Sequence, residues 1–133
     1  MVSRSPKKKK KIIGLIPLGE LKAKAQKVFN RGIRERDYFE HNGKCISCPN
    51  QGNQAGHYFS VKQYDNMRYE EMNVHLQCTY CNKYAHGNLH EYRIGLINRY
   101  GIDYVETLER LMKSKRNIKL GRDEITNVIN KYK

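Results

Sequence analysis

Apolar residues recur at helical spacing in four segments of the chain. In residues 20 to about 38, five apolar side chains fall on one helical face: Leu21, Ala25, Val28, Phe29 and Ile33. The same period returns in three later segments: 90–100, 103–115 and 123–132. Gly101 is typical of a helix end, and Asp103 is typical of the N-cap that begins the next helix. The pattern therefore predicts four amphipathic helices.

Residues 41–81 lack a long period and are rich in turn residues. Short apolar runs predict one strand through Tyr58, Phe59 and Val61, and a second extended element over residues 73–76. The fold class is therefore α+β, with a small module lying between an N-terminal helix and C-terminal helices. Because this segment has little apolar material of its own, we expect an internal crosslink to hold it together.

Composition limits the size of the core and the number of domains. Only 38% of the 133 residues are hydrophobic and Trp is absent, so a small, segmented core is expected. We predict a single domain over residues 20–133, with its core in residues 41–100. A disordered basic arm and connector is predicted over residues 1–19, where Arg4 precedes five lysines, Lys7 to Lys11.

Basic residues outnumber acidic ones and give a formal net charge of +13. Such an excess favours a polyanionic partner, with nucleic acid ahead of an anionic membrane surface. No apolar run reaches the roughly 18–20 residues that span a bilayer, and no signal peptide is recognisable, so we expect a cytoplasmic protein. Four basic residues lie opposite the apolar face of the first helix, where they could follow a phosphate backbone or simply be solvated: Lys24, Lys27, Arg31 and Arg34.

Two C-x2-C pairs, Cys45 with Cys48 and Cys78 with Cys81, are the strongest motif in the chain. In a reducing cytoplasm such pairs indicate metal in preference to disulfides or free thiols, and two pairs complete a tetrahedral four-thiolate zinc site. The 29 residues between the pairs exceed the roughly 15–20 of a simple zinc ribbon. The zinc site is expected to be structural, and the long insert is where other chemistry would lie.

Histidine and asparagine follow one another in a definite order around the second cysteine pair. His57 lies in the insert, Asn73 comes sixteen residues later, and Asn82 directly follows the second pair. With cysteine pairs at its start and end, this order resembles the HNH, or ββα-metal, nucleases. The resemblance implies that His57 is the general base, that Asn73 fixes the loop and the orientation of His57, and that Asn82 binds a catalytic Mg²⁺ or Mn²⁺. A neutral imidazole can take a proton from water, and hard ions accept amide oxygen ligands.

One position departs from the HNH pattern. Many HNH enzymes have Asp or His immediately before the base as a second metal ligand, whereas this chain has Gly56. The second ligand must come from elsewhere, or water and phosphate hold the ion. His86 lies four residues after Asn82 and would share its face if the segment is helical, so it is a candidate ligand, and Asp65 is another.

A narrower resemblance extends over residues 20–112. Several runs are similar to the phage recombination endonuclease family of lambda NinG (Rap), among them Ala55-Gly-His-Tyr-Phe, Asn73-Val-His-Leu-Gln-Cys-Thr-Tyr-Cys-Asn and Glu91-Tyr-Arg-Ile-Gly-Leu. That family implies a structure-specific endonuclease. It would hydrolyse phosphodiester bonds in branched DNA, such as Holliday junctions or D-loops, in the cytoplasm of a phage-infected host cell.

Two further basic residues are expected to contact phosphate near the base: Lys83, at a helix start, and Arg68, in the insert. Selectivity for branched DNA would then come from shape, in one subunit or in a homodimer. Two other interpretations stay open. One is a catalytically inactive zinc-ribbon protein that binds nucleic acid, which Gly56 favours, and the other is a purely structural zinc protein of an RNA-containing assembly.

Overall fold

The computed structural model describes residues 16–133, and the predicted disordered arm lies almost wholly outside this range. Helix α1 (Leu18–Glu40) leads through a long loop into strands β1 (Gln54–His57) and β2 (Val74–Gln77). A π-helical turn, Tyr80–Tyr84, follows β2. Three helices complete the chain: α2 (Leu89–Tyr100), α3 (Ile102–Lys115) and α4 (Arg122–Tyr132). The mixed α+β class predicted from the sequence is confirmed.

Helix α1 forms because its apolar residues repeat every three to four positions. Its buried face consists of Leu21, Ala25, Phe29, Ile33 and Asp37, and Val28 is half-buried at its margin. The helix begins at Leu18, two residues earlier than predicted, and Ile16 before it packs against α4. Residues 16–19 are therefore part of the folded domain, and assigning them to a connector was wrong.

The two strands form an antiparallel hairpin in which Gln54 pairs with Gln77 and His57 pairs with Val74. One face carries Ala55, which packs with Val74 against α1. The opposite face carries Gly56, whose carbonyl accepts a hydrogen bond from Tyr92 of α2 at 2.7 Å. The hairpin is thus sandwiched between α1 and α2.

The strand predicted through Tyr58, Phe59 and Val61 is wrong, because β1 ends at His57. The backbone N–H of Phe59 donates to the side chain of Asn73 at 2.8 Å, which takes the chain out of the ladder. The rings of Tyr58 and Phe59 pack against one another with centroids 5.0 Å apart. These aromatic side chains therefore pack together in a loop and do not form one face of a strand. The second element, by contrast, was predicted within one residue of β2.

Side chains of α1 form hydrogen bonds with backbone groups on the outer edge of β2. The Leu76 N–H donates to a carboxylate oxygen of Asp37 at 2.8 Å, and Arg36 donates to the Val74 carbonyl at 2.8 Å. Arg36 also binds Asp37 directly, at 2.8 Å. Burial raises the pKa of Asp37, but the hydrogen bonds from Arg36 and Leu76 outweigh it, and the net pKa lies below its usual value. This pair replaces a third strand at an edge that would otherwise carry unpaired backbone groups.

Replacing Asp37 with Asn should destabilise the domain by about 3 kcal/mol, because the exchange leaves Arg36 without its anion inside the fold. Urea denaturation followed by circular dichroism measures this difference. Glu35→Gln, at an exposed position of the same helix, is the matched control and should change stability little. Equal stability of the two variants would show that the edge does not depend on the carboxylate charge.

The buried apolar residues form three clusters, as the low apolar content predicted. One joins α1 to α4 through Leu21, Ala25, Ile125 and Ile129. A second joins α2 and α3 to the insert and comprises Ile46, Met67, Tyr92, Leu96, Val105, Leu108 and Met112. The third lies between α1 and the hairpin and includes Phe29, Ile33 and Val74.

Gly101 separates α2 from α3 as predicted, with a φ of 93° that favours glycine. The same residue precedes α3 as its N-cap, so the assignment of Asp103 to that position was wrong. Asp103 lies instead in the first turn, where its charge favours the helix dipole. Within residues 16–133, none of the helices has both the length and the apolar character needed to cross a bilayer.

Candidate metal centre and histidine cleft

The four cysteines come from the two ends of the insert. Cys45 and Cys48 lie in the loop between α1 and β1, and Cys78 and Cys81 lie directly after β2. Their sulfur atoms all lie within 4.8 Å of one another. Cys45 and Cys81 are buried, and the other two are half-buried. The predicted cluster is therefore confirmed as a group that could hold a metal ion.

Backbone and amide N–H groups surround the sulfur atoms. The Ser47 N–H points to Cys45 Sγ at 3.4 Å, the Cys81 N–H to Cys78 Sγ at 3.4 Å, and Asn88 Nδ2 to Cys81 Sγ at 3.5 Å. Such donors stabilise thiolates, the form of cysteine that binds metal. Burial raises the pKa of Cys81 to about 12 and raises that of Cys45 as well. Cys45 and Cys81 therefore ionise at neutral pH only when a nearby cation offsets the cost of their burial.

His57 is the last residue of β1 and lines a cleft of about 230 Å³. Residues of the segment 57–64 form one side of the cleft, and His86 and Leu89 form the other. His57 Nε2 lies 3.0 Å from the backbone carbonyl oxygen of Arg68. Because a carbonyl only accepts hydrogen bonds, Nε2 must carry the proton, and Nδ1 holds the lone pair of the neutral ring.

Burial sets the protonation state of His57. It lowers the pKa of the ring below its usual value, and the positive charge of Arg68 adds to the effect. The hydrogen bond to the Arg68 carbonyl acts in the opposite direction but does not outweigh burial. The ring is therefore neutral at pH 7, the state in which a histidine can accept a proton.

Asn73 is completely buried and connects three parts of the insert. Its amide nitrogen donates to the carbonyls of Phe59, at 3.0 Å, and Met67, at 3.1 Å, and its oxygen accepts from the Phe59 N–H. The loop that follows His57 is therefore tied to the start of β2. The hydrogen bond from Asn73 to the Met67 carbonyl also fixes the segment whose next residue, Arg68, contacts His57 through its carbonyl.

The structure brings His86, but not Asn82, to the cleft of His57. Asn82 Nδ2 donates to Gln54 Oε1 at 2.8 Å, and Gln54 lies at the opposite end of β1 from His57. The prediction that Asn82 and His86 share a helical face is wrong, because the chain turns after Tyr84 and His86 adopts a left-handed φ of 51°. Asp65 is bonded to Lys22 at 2.7 Å and to Arg68 at 2.9 Å, so its carboxylate is already engaged.

The predicted basic residues differ in their accessibility. Lys24, Lys27 and Lys83 are exposed, as is Arg31, although Arg31 donates to the Tyr132 carbonyl at 3.0 Å. Arg34 is half-buried. Arg68 has a side chain only 16% exposed and paired with Asp65, so it is not free to contact phosphate in this structure.

Two buried polar residues of β2, His75 and Gln77, were not among the site residues predicted from the sequence. His75 is enclosed by Tyr92 and Tyr104, 3.1 and 3.2 Å from its two ring nitrogens, and burial lowers its pKa to about 3. Both ring nitrogens are engaged and the side chain is completely buried, so His75 is a structural residue. Gln77 lies beside Gly56 and is completely buried. The sequence did not show which way either side chain points, because all four residues of β2 are buried and no alternation of polar and apolar residues distinguishes its two faces.

Comparison with known proteins identifies one family. The family model described as Bacteriophage Lambda NinG protein matches residues 3–133. Protein ninG of Salmonella phage P22 is 40% identical over 95 residues, which cover 69% of this chain and 45% of that protein. Protein ninG of Escherichia phage lambda is 40% identical over 88 residues, which cover 64% of this chain and 42% of that protein.

Protein ninG of Escherichia phage 933W is 41% identical over 88 residues, with 64% of this chain and 42% of that protein covered. The matched segments thus span less than half the length of these relatives. No solved structure matches the chain.

Proposed function

The chain belongs to the NinG family of phage lambda, and on that premise we propose that it is a metal-dependent endonuclease acting on branched DNA. The observation that carries the proposal is the state of His57, which lines the cleft. Its Nε2 proton is fixed by the Arg68 carbonyl, and its neutral ring keeps a lone pair on Nδ1. A histidine held in this tautomer is suited to general-base catalysis. The order His57, Asn73, Asn82 resembles that of HNH nucleases.

The proposed reaction is hydrolysis of a phosphodiester. A water oxygen bonds to phosphorus, its proton passes to His57 Nδ1, and the bond from phosphorus to the leaving sugar oxygen breaks. The leaving oxygen takes a proton from solvent, and His57 returns its own proton to solvent. A bound Mg²⁺ or Mn²⁺ would supply positive charge beside the phosphate. His86, which lines the same cleft, could hold such an ion through a ring nitrogen.

We propose zinc as the metal of the four cysteines. Four thiolates complete a tetrahedral shell and leave no coordination position for substrate, so this ion is structural. It joins the loop before β1 to the turn after β2. It would thereby hold both ends of the insert that carries His57.

The exposed side of α1 offers a surface for the DNA backbone. Lys24 and Lys27 lie one turn apart with their side chains in solvent, and Arg31 continues the row. The net charge of +13 favours any polyanion, and a row of exposed cations along one helix concentrates part of that charge on one surface. We therefore expect α1 to supply sequence-independent affinity, while the cleft supplies the chemistry.

Exchanging Lys24 and Lys27 together for Gln should lower the salt dependence of DNA binding. Each lost phosphate contact reduces the slope of log affinity against log salt by about 0.9 on duplex DNA, so a decrease of about 2 is expected. Fluorescence anisotropy at several salt concentrations measures the slope. The matched control is Arg110→Gln with Lys113→Gln, an exposed pair with the same spacing on α3. If both double variants change the slope equally, the positive charge acts as a whole and α1 has no particular role.

The proposed function is tested by incubating zinc-loaded protein with a four-way junction, a linear duplex of the same sequence and supercoiled plasmid. Mg²⁺ or Mn²⁺ is added in one arm and withheld in the other. We expect metal-stimulated cleavage with the junction preferred over the linear duplex. Tight binding without cleavage in both metals would contradict the nuclease and support the alternative, an inactive zinc-ribbon protein that binds nucleic acid. The absence of a ligating side chain at Gly56 is the observation that favours that alternative.

A further inference from the structure

A second and larger cavity adjoins the histidine cleft. It has a volume of about 450 Å³ and is formed by the start of α1, the insert and the loop that joins α3 to α4. Gln63 lines both this cavity and the cleft, so the two share a rim. We call the larger cavity the basic pocket. Its charged lining residues are one acid, Asp65, and four bases: Lys22, Lys62, Arg116 and Lys119.

The acid of the basic pocket is already compensated by two cations. Asp65 binds Lys22 Nζ at 2.7 Å and the Arg68 guanidinium at 2.9 Å. The three other cations of the pocket are exposed and form no ion pair with a carboxylate of the described residues: Lys62, Arg116 and Lys119. The basic pocket therefore carries an excess of positive charge that the protein itself does not neutralise, and such an excess attracts anions.

Contacts with the insert fix the loop that carries two of these cations. Asn66 Nδ2 donates a hydrogen bond to the Ile118 carbonyl. The Arg116 guanidinium carbon lies 5.9 Å from the centre of the Tyr64 ring, and Tyr64 also lines the histidine cleft. The positions of Arg116 and Lys119 relative to the cleft are therefore set by packing, which favours a site that holds its ligand in a defined place.

The basic pocket and the row of exposed cations on α1 lie on different sides of that helix. Each residue advances about 100° around an α-helix, so Lys22, which lines the pocket, is about 200° from Lys24, the first residue of the row. Lys22 faces the insert, where it binds Asp65. The row therefore lies on the far side of α1, and the basic pocket is a separate cationic surface that adjoins the cleft.

We propose that Lys62, Arg116 and Lys119 bind a backbone phosphate of the DNA strand that enters the histidine cleft. The inference rests on the proposed nuclease function and adds a phosphate subsite to it. Because every nucleotide of a strand carries a phosphate, a strand with one phosphate beside His57 brings others across the rim at Gln63. Contacts to such flanking phosphates set the register of a strand, so the basic pocket would position the reacting phosphate beside His57.

The first test measures binding of zinc-loaded protein to a four-way junction without Mg²⁺ or Mn²⁺, by fluorescence anisotropy at several salt concentrations. Arg116→Gln with Lys119→Gln should lower the slope of log affinity against log salt by about 2, since each phosphate contact contributes about 0.9. Arg110→Gln with Lys113→Gln removes the same two residue types at the same spacing from exposed positions of α3 and should leave the slope unchanged. Zinc content and circular dichroism report whether each variant is folded.

The second test locates the phosphate by replacing one linkage at a time in the junction with a neutral methylphosphonate. At one or two neighbouring positions the neutral linkage should lower the affinity of the unmodified protein about fivefold. The Arg116→Gln, Lys119→Gln protein should lose less at those positions, because its side chains no longer pair with the charge that was removed. Lys62→Gln, on the opposite side of the pocket, should reduce the loss at the same positions and keeps the test decisive if the double variant does not fold.

The outcomes separate this inference from the function on which it rests. If folded pocket variants keep both the salt slope and the full loss at every methylphosphonate position, the basic pocket holds no phosphate, whether or not the unmodified protein cleaves DNA. Equal slopes in the pocket variant and the α3 control overturn the inference as well. If the pocket variants respond as expected but the unmodified protein cleaves no DNA in Mg²⁺ or Mn²⁺, the nuclease proposal falls and the phosphate subsite stands.

Discussion

Replacing Cys81 with Ser should release zinc and unfold residues 41–100. Cys81 is 1% exposed, and the other three sulfur atoms lie within 4.8 Å of its own, so no water could take its place without opening the fold. Structural zinc contributes about 10–16 kcal/mol in small zinc domains, which is comparable with the about 5–15 kcal/mol total stability of a typical domain. Zinc per chain by mass spectrometry and thermal unfolding by circular dichroism measure the effect.

The packing of α2 explains why the damage should spread beyond the metal. A Cβ on Gly95 would lie 1.9 Å from the Ile46 carbonyl oxygen, so α2 lies directly on the first cysteine loop. Ile46 in turn donates its N–H to the Leu76 carbonyl at 2.9 Å. Loss of the metal would therefore loosen one side of the hairpin and the helix that covers it.

Thr79→Ser is the matched control for this experiment, because it lies in the second cysteine loop and keeps its hydroxyl. It should retain one zinc per chain and the original unfolding temperature. A metal-free protein with an unchanged unfolding temperature, or a mass that shows two disulfides, would contradict the structural zinc. Chelation of the unmodified protein should reproduce the Cys81→Ser result without any change of sequence.

The helices and the cysteine cluster could be predicted because their signals are local. Four apolar repeats placed four helices within about two residues of their observed ends, since burial of one face decides where such a helix runs. The C-x2-C spacing alone brings the two sulfur atoms of each pair together. Only the proximity of one pair to the other depends on the tertiary structure. Asp37 was missed because a carboxylate on an apolar face is recognised only when its partners, Arg36 and the edge of β2, are known.

The first strand could not be predicted because its residues have little strand preference. Gln54, Ala55 and Gly56 become a strand through contacts from distant parts of the chain, including Asn82 on Gln54 and Tyr92 on the Gly56 carbonyl. The neighbouring aromatic residues, which do favour strands, belong to the loop cluster. Here tertiary contacts decide the structure against local preference.

The residues of the candidate site show the same contrast between local sequence signals, which could be read, and tertiary contacts, which could not. His57 was recognised because the order His57, Asn73, Asn82 resembles that of HNH nucleases. Its tautomer could be assigned only from the structure, in which Nε2 lies against the Arg68 carbonyl. The relation between Asn82 and His86 could not be predicted, because it depends on a π-helical turn and a left-handed residue. Gln77 needed the strand register, since only pairing places its side chain over Gly56.

Replacing His57 with Ala should lower the rate of metal-dependent DNA cleavage by about 10²–10⁴-fold while leaving DNA affinity unchanged. The imidazole is the only group we assign to proton transfer, whereas the basic row that grips the backbone lies on α1. Burial holds the pKa of His57 below 6.5, so the cleavage rate of the unmodified protein should rise with pH below that value and level off above it. Single-turnover cleavage of a four-way junction between pH 5 and 8 measures both effects.

His90→Ala is the matched control, because His90 is an exposed histidine on α2 outside the cleft. It should cleave at the unmodified rate with the same pH profile. The His57→Ala protein should keep its zinc. It should lose most of the cleavage rate, and the remaining rate should no longer increase with pH below 6.5. Added imidazole should restore part of the activity, since the vacated cleft admits a small base. If a folded His57→Ala protein cleaves as fast as His90→Ala, the base is not His57, and His86 becomes the residue to exchange next because it lines the same cleft.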